Sequence, residues 1–228
     1  MALEYPFFLI NFKTAAETVG EDGLAFAQTI ERVGAATGTR FAIAPQPTDV
    51  RLVADRTDLP VVAQSARHGE DAALGTPTLE AVAAAGADAV FVNHPQNEAT
   101  FGDVPRLIDR CRECSLESIV CVNSREQGRA ALAYDPDCLL FERPDDIASE
   151  EGLIRTHPDR LEAFVEMVER EGSRTRVFVG GGVRTADDVE RAFDCGVDAT
   201  GAASAALAAD DLEAWLRSIA DAVPDKLE

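Results

Sequence analysis

The sequence predicts a parallel α/β fold, a (β/α)₈ barrel, on three observations. Short apolar runs alternate with longer amphipathic ones from end to end, the short runs are apolar throughout, and there are eight of each kind. A strand buried on both faces has no solvent side on which to place polar residues. Unbroken apolar runs therefore suit a parallel sheet covered by helices rather than an alternating, half-exposed one. Eight such units in 228 residues match one closed barrel domain over residues 1–228. An open, doubly wound sheet shares the alternation, since a count of units cannot show closure.

Taken in order, FFLIN (7–11) is followed by the amphipathic EDGLAFAQTIERVGAAT, and FAIA (41–44) by PTDVRLVAD. VVAQ (61–64) precedes PTLEAVAAAG, AVFVN (89–93) precedes VPRLIDRCREC, and SIVCV (118–122) precedes REQGRAALA. CLLFE (138–142) leads through a long acidic loop to HPDRLEAFVEMVERE. RVFVG (176–180) leads to TADDVERAFDCG, where Thr185 and Asp188 form a capping-box pair. The last strand, DATGA (198–202), has the weakest apolar signal, and DDLEAWLRSIADAV closes the series.

Composition narrows the function. Acidic residues outnumber basic ones by 41 to 21, for a formal charge of −20, and the excess is spread along the chain as a solvated surface. Such a surface repels nucleic acid and anionic membranes, so neither is expected as a partner. Lys13 and Lys226 are the only lysines, and high acidity with so few lysines suits a cytoplasm rich in salt. No run is long enough to span a membrane or resembles a secretory leader, so a soluble cytoplasmic protein is expected. Five cysteines suggest no disulfide scaffold; CREC at Cys111–Cys114 lies in a helical pattern and lacks a second ligand pair for zinc. His68 and His157 have no companions at metal-ligand spacing and are read as surface residues, so no metal is expected.

In a barrel, chemistry sits where strands end. Those points carry Asn11 and Lys13, Gln46, Gln64, Asn93 and His94, Asn123, the acidic stretch from Glu142 to Asp146, Gly180 to Gly182, and Ser204. The glycine-rich turns GGG and GAAS follow the last two strands, where barrels often hold phosphate on backbone N–H groups.

The same strand ends carry a resemblance. NFK, IAPQPTDV, VAQ, VNHP, IVC, FERPDDI, VGGGVRTADDVERAF and GVDATGAAS follow one another in the register of archaeal triosephosphate isomerases, over about residues 7–215. The resemblance implies a TIM barrel that interconverts glyceraldehyde 3-phosphate and dihydroxyacetone phosphate through an enediolate, with no cofactor. The family is itself the standing example of this chemistry, with a glutamate base and a neutral electrophilic histidine. Carried over by position, Asn11 and Lys13 would stabilise charge on the substrate, and His94 would be the electrophile. Ser149, Gly181, Gly182 and Ser204 would hold the phosphate. The resemblance also implies a homo-oligomer, dimer or tetramer, with GTPT at Gly75–Thr78 matching a subunit-bridging loop.

The chain departs from the family in several places. Where the family has PPEL this chain has RPDD, which gives Asp145 as the base and leaves Glu142 as a structural strand-end residue. Asp146, Glu150 and Glu151 are read as solvated. Ala148 and Glu150 replace glycines of a mobile lid, Ala205 replaces another glycine, and Pro95 and Gln96 follow His94 where Ser and Glu are usual. A shortened base and an altered lid imply reduced activity. Two other readings accommodate them: a paralogue acting on another sugar phosphate, or a barrel that binds a phosphorylated metabolite without turnover.

Overall fold

The computed structural model describes residues 3–68, 74–100, 102–143, 152–171 and 174–227. Eight parallel strands form the sheet: β1 (Phe7–Asn11), β2 (Phe41–Ala44), β3 (Val62–Ala63), β4 (Ala89–Val92), β5 (Glu117–Val122), β6 (Cys138–Phe141), β7 (Arg176–Val179) and β8 (Ala199–Ala202). Their order is β2-β1-β8-β7-β6-β5-β4-β3. The two end strands meet where Ile43 bridges Val61 and its N–H donates to the Pro60 carbonyl at 3.0 Å. The sheet thus curls into a barrel, and the open, doubly wound alternative is ruled out.

The strands fall within a residue or two of the apolar runs, because each is buried on both sides. Phe7 and Leu9 join Ala42, Val62, Phe91, Ile119, Leu140 and Phe178 in a cluster inside the barrel. Their neighbours Phe8 and Ile10 join Val90, Val120, Leu139 and Val177 in the layer beneath the helices. That alternation of inner and outer residues is the strand period of two, with both faces apolar. The short β8 is built from small residues because it lies tight against β1: a Cβ on Gly201 would come within 2.5 Å of the Leu9 carbonyl.

The outer layer contains α1 (Gly20–Thr37), α2 (Val50–Ala54), α3 (Leu79–Ala84), α4 (Asp103–Glu113) and α5 (Arg125–Leu132). It continues with α6 (Leu153–Thr156), α7 (Pro158–Arg170), α8 (Ala186–Asp194), α9 (Ser204–Leu207) and α10 (Leu212–Ala220). The short α6 and α9 are additions to the eight helices read from the sequence. CREC lies at the end of α4 with both thiols free; burial pushes the Cys111 thiol up to about 12, as suits an inert core residue.

Three aspartates fix the lower rim. Asp88, Asp137 and Asp198 each stand just before a strand and accept an N–H at the start of the neighbouring strand, from Val61, Ser118 and Val177 at 2.9, 2.8 and 2.7 Å. The opposite, upper rim carries the site.

Candidate active site

Six strand ends converge on one cavity at the upper rim. Its deep part, about 70 Å³, is lined by Asn11, Lys13, His94, Glu142, the glycines 180–182 and Ser204. A wider mouth of about 440 Å³ shares Asn11, Lys13, His94 and Ser204 and adds Gln64 and Gln96. The structure therefore brings together Asn11, Lys13, His94, Gly181, Gly182 and Ser204. Asp145 and Ser149 lie outside the described residues, as do Asp146, Ala148, Glu150 and Glu151.

Lys13 is aimed by its backbone. Its φ of +50° is uncommon for a residue with a side chain. Asn11 holds it there, its Oδ1 accepting the Lys13 N–H at 2.8 Å in an Asx turn. Gln64 adds a second tie, donating from Nε2 to the Lys13 carbonyl at 2.7 Å. The Lys13 ammonium donates to Gln96 Oε1 at 3.0 Å.

His94 and Glu142 face each other on the cavity wall, each only 7% exposed. The Gln96 backbone N–H donates to His94 Nδ1 at 3.1 Å. A ring nitrogen that accepts carries no proton, so the hydrogen of the neutral imidazole sits on Nε2. That Nε2 lies 3.4 Å from Glu142 Oε2. Glu142 follows the last residue of β6, and Gly180 makes room for it: a Cβ there would stand 3.3 Å from the Glu142 carboxyl carbon.

Sequence reasoning left Glu142 as a strand-end residue, and the structure departs from that: its carboxylate lies inside the cavity. The signal was present, since a carboxylate at the C-terminal end of a barrel strand is where catalysis is expected. The other strand-end polar residues divide differently. Gln46 braces the first loop through Ala15 and Thr18, and Asn93 ties Cys121 to Ala99. Asn123 lines a separate cavity between α4 and α5. His68 also differs from its reading as a surface residue: it is half-buried and pairs with Asp103 at 3.1 Å.

The glycine turn has a conformational reason. Gly181 and Gly182 have φ of +83° and +76°, a region that favours glycine. Gly152 packs against them so closely that a Cβ on it would reach 2.9 Å from the Gly181 carbonyl. Ser204 opens α9 beside this turn. Among the described residues, no group of three or more histidines, cysteines or carboxylates is placed to hold a metal ion, and no helix is long and apolar enough to cross a membrane.

The triosephosphate isomerase family model matches residues 6–221. This chain belongs to that family. Among its relatives, the triosephosphate isomerase of Methanothermobacter thermautotrophicus is 33% identical, over 90% of each chain. That of Methanothermus fervidus is 31% identical, over 95% of this chain and 98% of the relative. The fold matches the crystal structure of triosephosphate isomerase from Bartonella henselae with a TM-score of 0.72, at 15% identity and over 95% and 98% of the two chains. That low identity supports the fold alone, and the family membership rests on the sequence matches.

Proposed function

We propose that this protein interconverts glyceraldehyde 3-phosphate and dihydroxyacetone phosphate, with Glu142 rather than Asp145 as the base. The observation that carries the reading is a buried carboxylate and a histidine that face one another beside a lysine, the histidine turning its Nε2–H into the cavity. Glu142 removes a proton from the carbon next to the substrate carbonyl and returns it to the neighbouring carbon. His94 donates from Nε2 to the oxygen on which negative charge develops, and Lys13 supplies a positive charge nearby. Asn11 contributes its remaining amide hydrogens and keeps the lysine turn in place.

The backbone N–H groups of Gly181, Gly182 and Ser204 are the proposed phosphate donors, joined by Ser149 from the sixth loop. With a full-length glutamate as base, the shortened-base argument for reduced activity no longer applies. We further propose a cytoplasmic homo-oligomer working in concentrated salt, as the acidic composition and the family resemblance support.

The deciding experiment compares Glu142→Gln with Asp145→Asn by steady-state kinetics. A positioned general base contributes roughly 10²- to 10⁴-fold. Glu142→Gln is expected to lose about that much in kcat, and Asp145→Asn to stay within about threefold of the parent. The reverse pattern would return the base to Asp145. A folded parent with no turnover would sink the isomerase reading.

A further inference from the structure

Asn93 stands between the last residue of β4 and His94, and its backbone is left-handed, with φ of +59°. Asparagine tolerates that region better than most residues with a side chain. The turn redirects the chain at the strand end, and His94 follows it on the cavity wall. Lys13 on the first loop has the same kind of turn, held by the amide of Asn11. At the fourth loop the amide belongs to the turning residue itself.

That amide makes two bonds in opposite directions. Its Nδ2 donates to the Cys121 carbonyl on β5 at 3.2 Å, and its Oδ1 accepts the Ala99 N–H at 3.1 Å. A carbonyl only accepts and a backbone N–H only donates, so the two partners fix which way the amide faces. The bond to Ala99 closes the loop 93–99 on itself, around an inner turn in which the Asn97 N–H donates to the His94 carbonyl at 2.7 Å. The bond to Cys121 fastens that closed loop to β5.

β5 also locates Glu142. The Glu142 N–H donates at 3.1 Å to the carbonyl of Val122, the residue after Cys121, where the β5–β6 ladder ends. Asn93 and Glu142 are therefore bonded to successive carbonyls of one strand. Across that short path His94 Nε2 stands 3.4 Å from Glu142 Oε2.

We infer that Asn93 is a positioning residue for this reaction: its amide clasps the fourth loop to β5 and thereby holds the His94 ring at its distance from Glu142. The inference rests on the isomerase reading, in which His94 and Glu142 both meet the substrate. Asn93 acts through His94; it lines the separate cavity between α4 and α5.

The test compares the parent with Asn93→Gly, which permits the left-handed turn and removes both bonds, and Asn93→Asp, which permits the turn and keeps only an acceptor for Ala99. Each is measured for kcat, KM and phosphoglycolate affinity. The His94 ring is followed by proton–nitrogen correlation spectra, its signals assigned by their loss in His94→Gln. Asn93→Gly is expected to lower kcat by about tenfold to a hundredfold, the order for a misplacement of about 1 Å, with KM and phosphoglycolate affinity within about threefold. Its ring signals should move from one fixed form, with the hydrogen on Nε2, toward an average of both ring forms. Parent kcat with only a lowered melting temperature would mark a purely structural residue and overturn the inference. So would ring signals unchanged from the parent. Asn93→Asp carries the test where Asn93→Gly does not fold: a kcat below the parent's at unchanged KM supports the fastening to β5, and parent kcat would overturn it. A parent that binds phosphoglycolate but does not turn over would fail the isomerase reading, and the ring spectra would still decide whether Asn93 holds His94.

Discussion

At the scale of single residues, the site depends on backbone placement more than on side-chain chemistry alone. Lys13 points into the cavity from a left-handed turn that Asn11 Oδ1 stabilises at 2.8 Å, so Asn11 has two tasks at once. Asn11→Ala removes the turn and, on the proposed mechanism, a donor near the developing charge. A fall in kcat/KM of roughly tenfold to a thousandfold is expected, the range for losing one oriented donor. Unchanged steady-state kinetics would show that Gln64 suffices to hold the turn. Asn11, Lys13 and His94 were legible in the sequence because they are polar residues directly after apolar strands. Glu142 meets the same criterion, but the family's PPEL turn falls on RPDD and so places the expected base three residues on, at Asp145. Gln96 was legible only as a departure from the family; that it contacts Lys13 and His94 through different atoms depends on loop geometry that one-dimensional spacing does not carry.

At the scale of elements, an ion pair ties α6 to the first turn of α8. Arg155 on α6 donates from Nε and a terminal nitrogen to the two oxygens of Asp188 at 2.6 and 2.5 Å. Asp188 also accepts the N–H groups of Arg184 and Thr185, and the Thr185 hydroxyl. The capping box read from TADD is thus present and also serves as a latch beside the glycine turn. Burial alone would raise the Asp188 carboxyl; Arg155 and the N–H donors outweigh it and hold the group below the usual carboxylate range. Asp188→Ala leaves these donors without an acceptor and is expected to cost about 2–4 kcal/mol, or roughly 5–15 °C in melting temperature for a chain of this size. Because the folded value is depressed, the stabilisation is complete above the unfolded value of about 4 and is lost as pH falls through the folded one. The gap in melting temperature between parent and Asp188→Asn should therefore narrow toward pH 3, and a constant gap would assign the loss to packing. Strands were legible at this scale because burial on both faces makes them uniformly apolar. The rim aspartates were not, since Asp88, Asp137 and Asp198 act across to neighbouring strands, a relation visible only once the sheet order is known.

At the scale of the whole molecule, charge and an exposed leucine act in opposite directions on association. Leu74 is fully exposed, and after it the chain returns to Arg67 through the Arg67–Thr78 bridge and the Leu79 N–H to the Arg67 carbonyl at 3.1 Å. Burying such a side chain against a partner is worth about 1.5–3 kcal/mol, and a symmetric contact would count it twice. Against this stands a formal charge of −20 on each chain, whose repulsion is strong at low salt and largely screened within about 3 Å at 1 M. The proposed homo-oligomer should therefore form more completely as salt rises. Sedimentation in molar potassium chloride is expected to give a multiple of the 24.4 kDa chain mass, shifting toward the single chain when salt is withdrawn. Leu74→Asp removes the apolar contact and adds a charge, so it should yield the single chain even in molar salt while leaving the barrel's circular dichroism unchanged. A monomer under all conditions would show that the exposed leucine has no partner in a second copy. An oligomer indifferent to Leu74→Asp would place the contact elsewhere on the barrel.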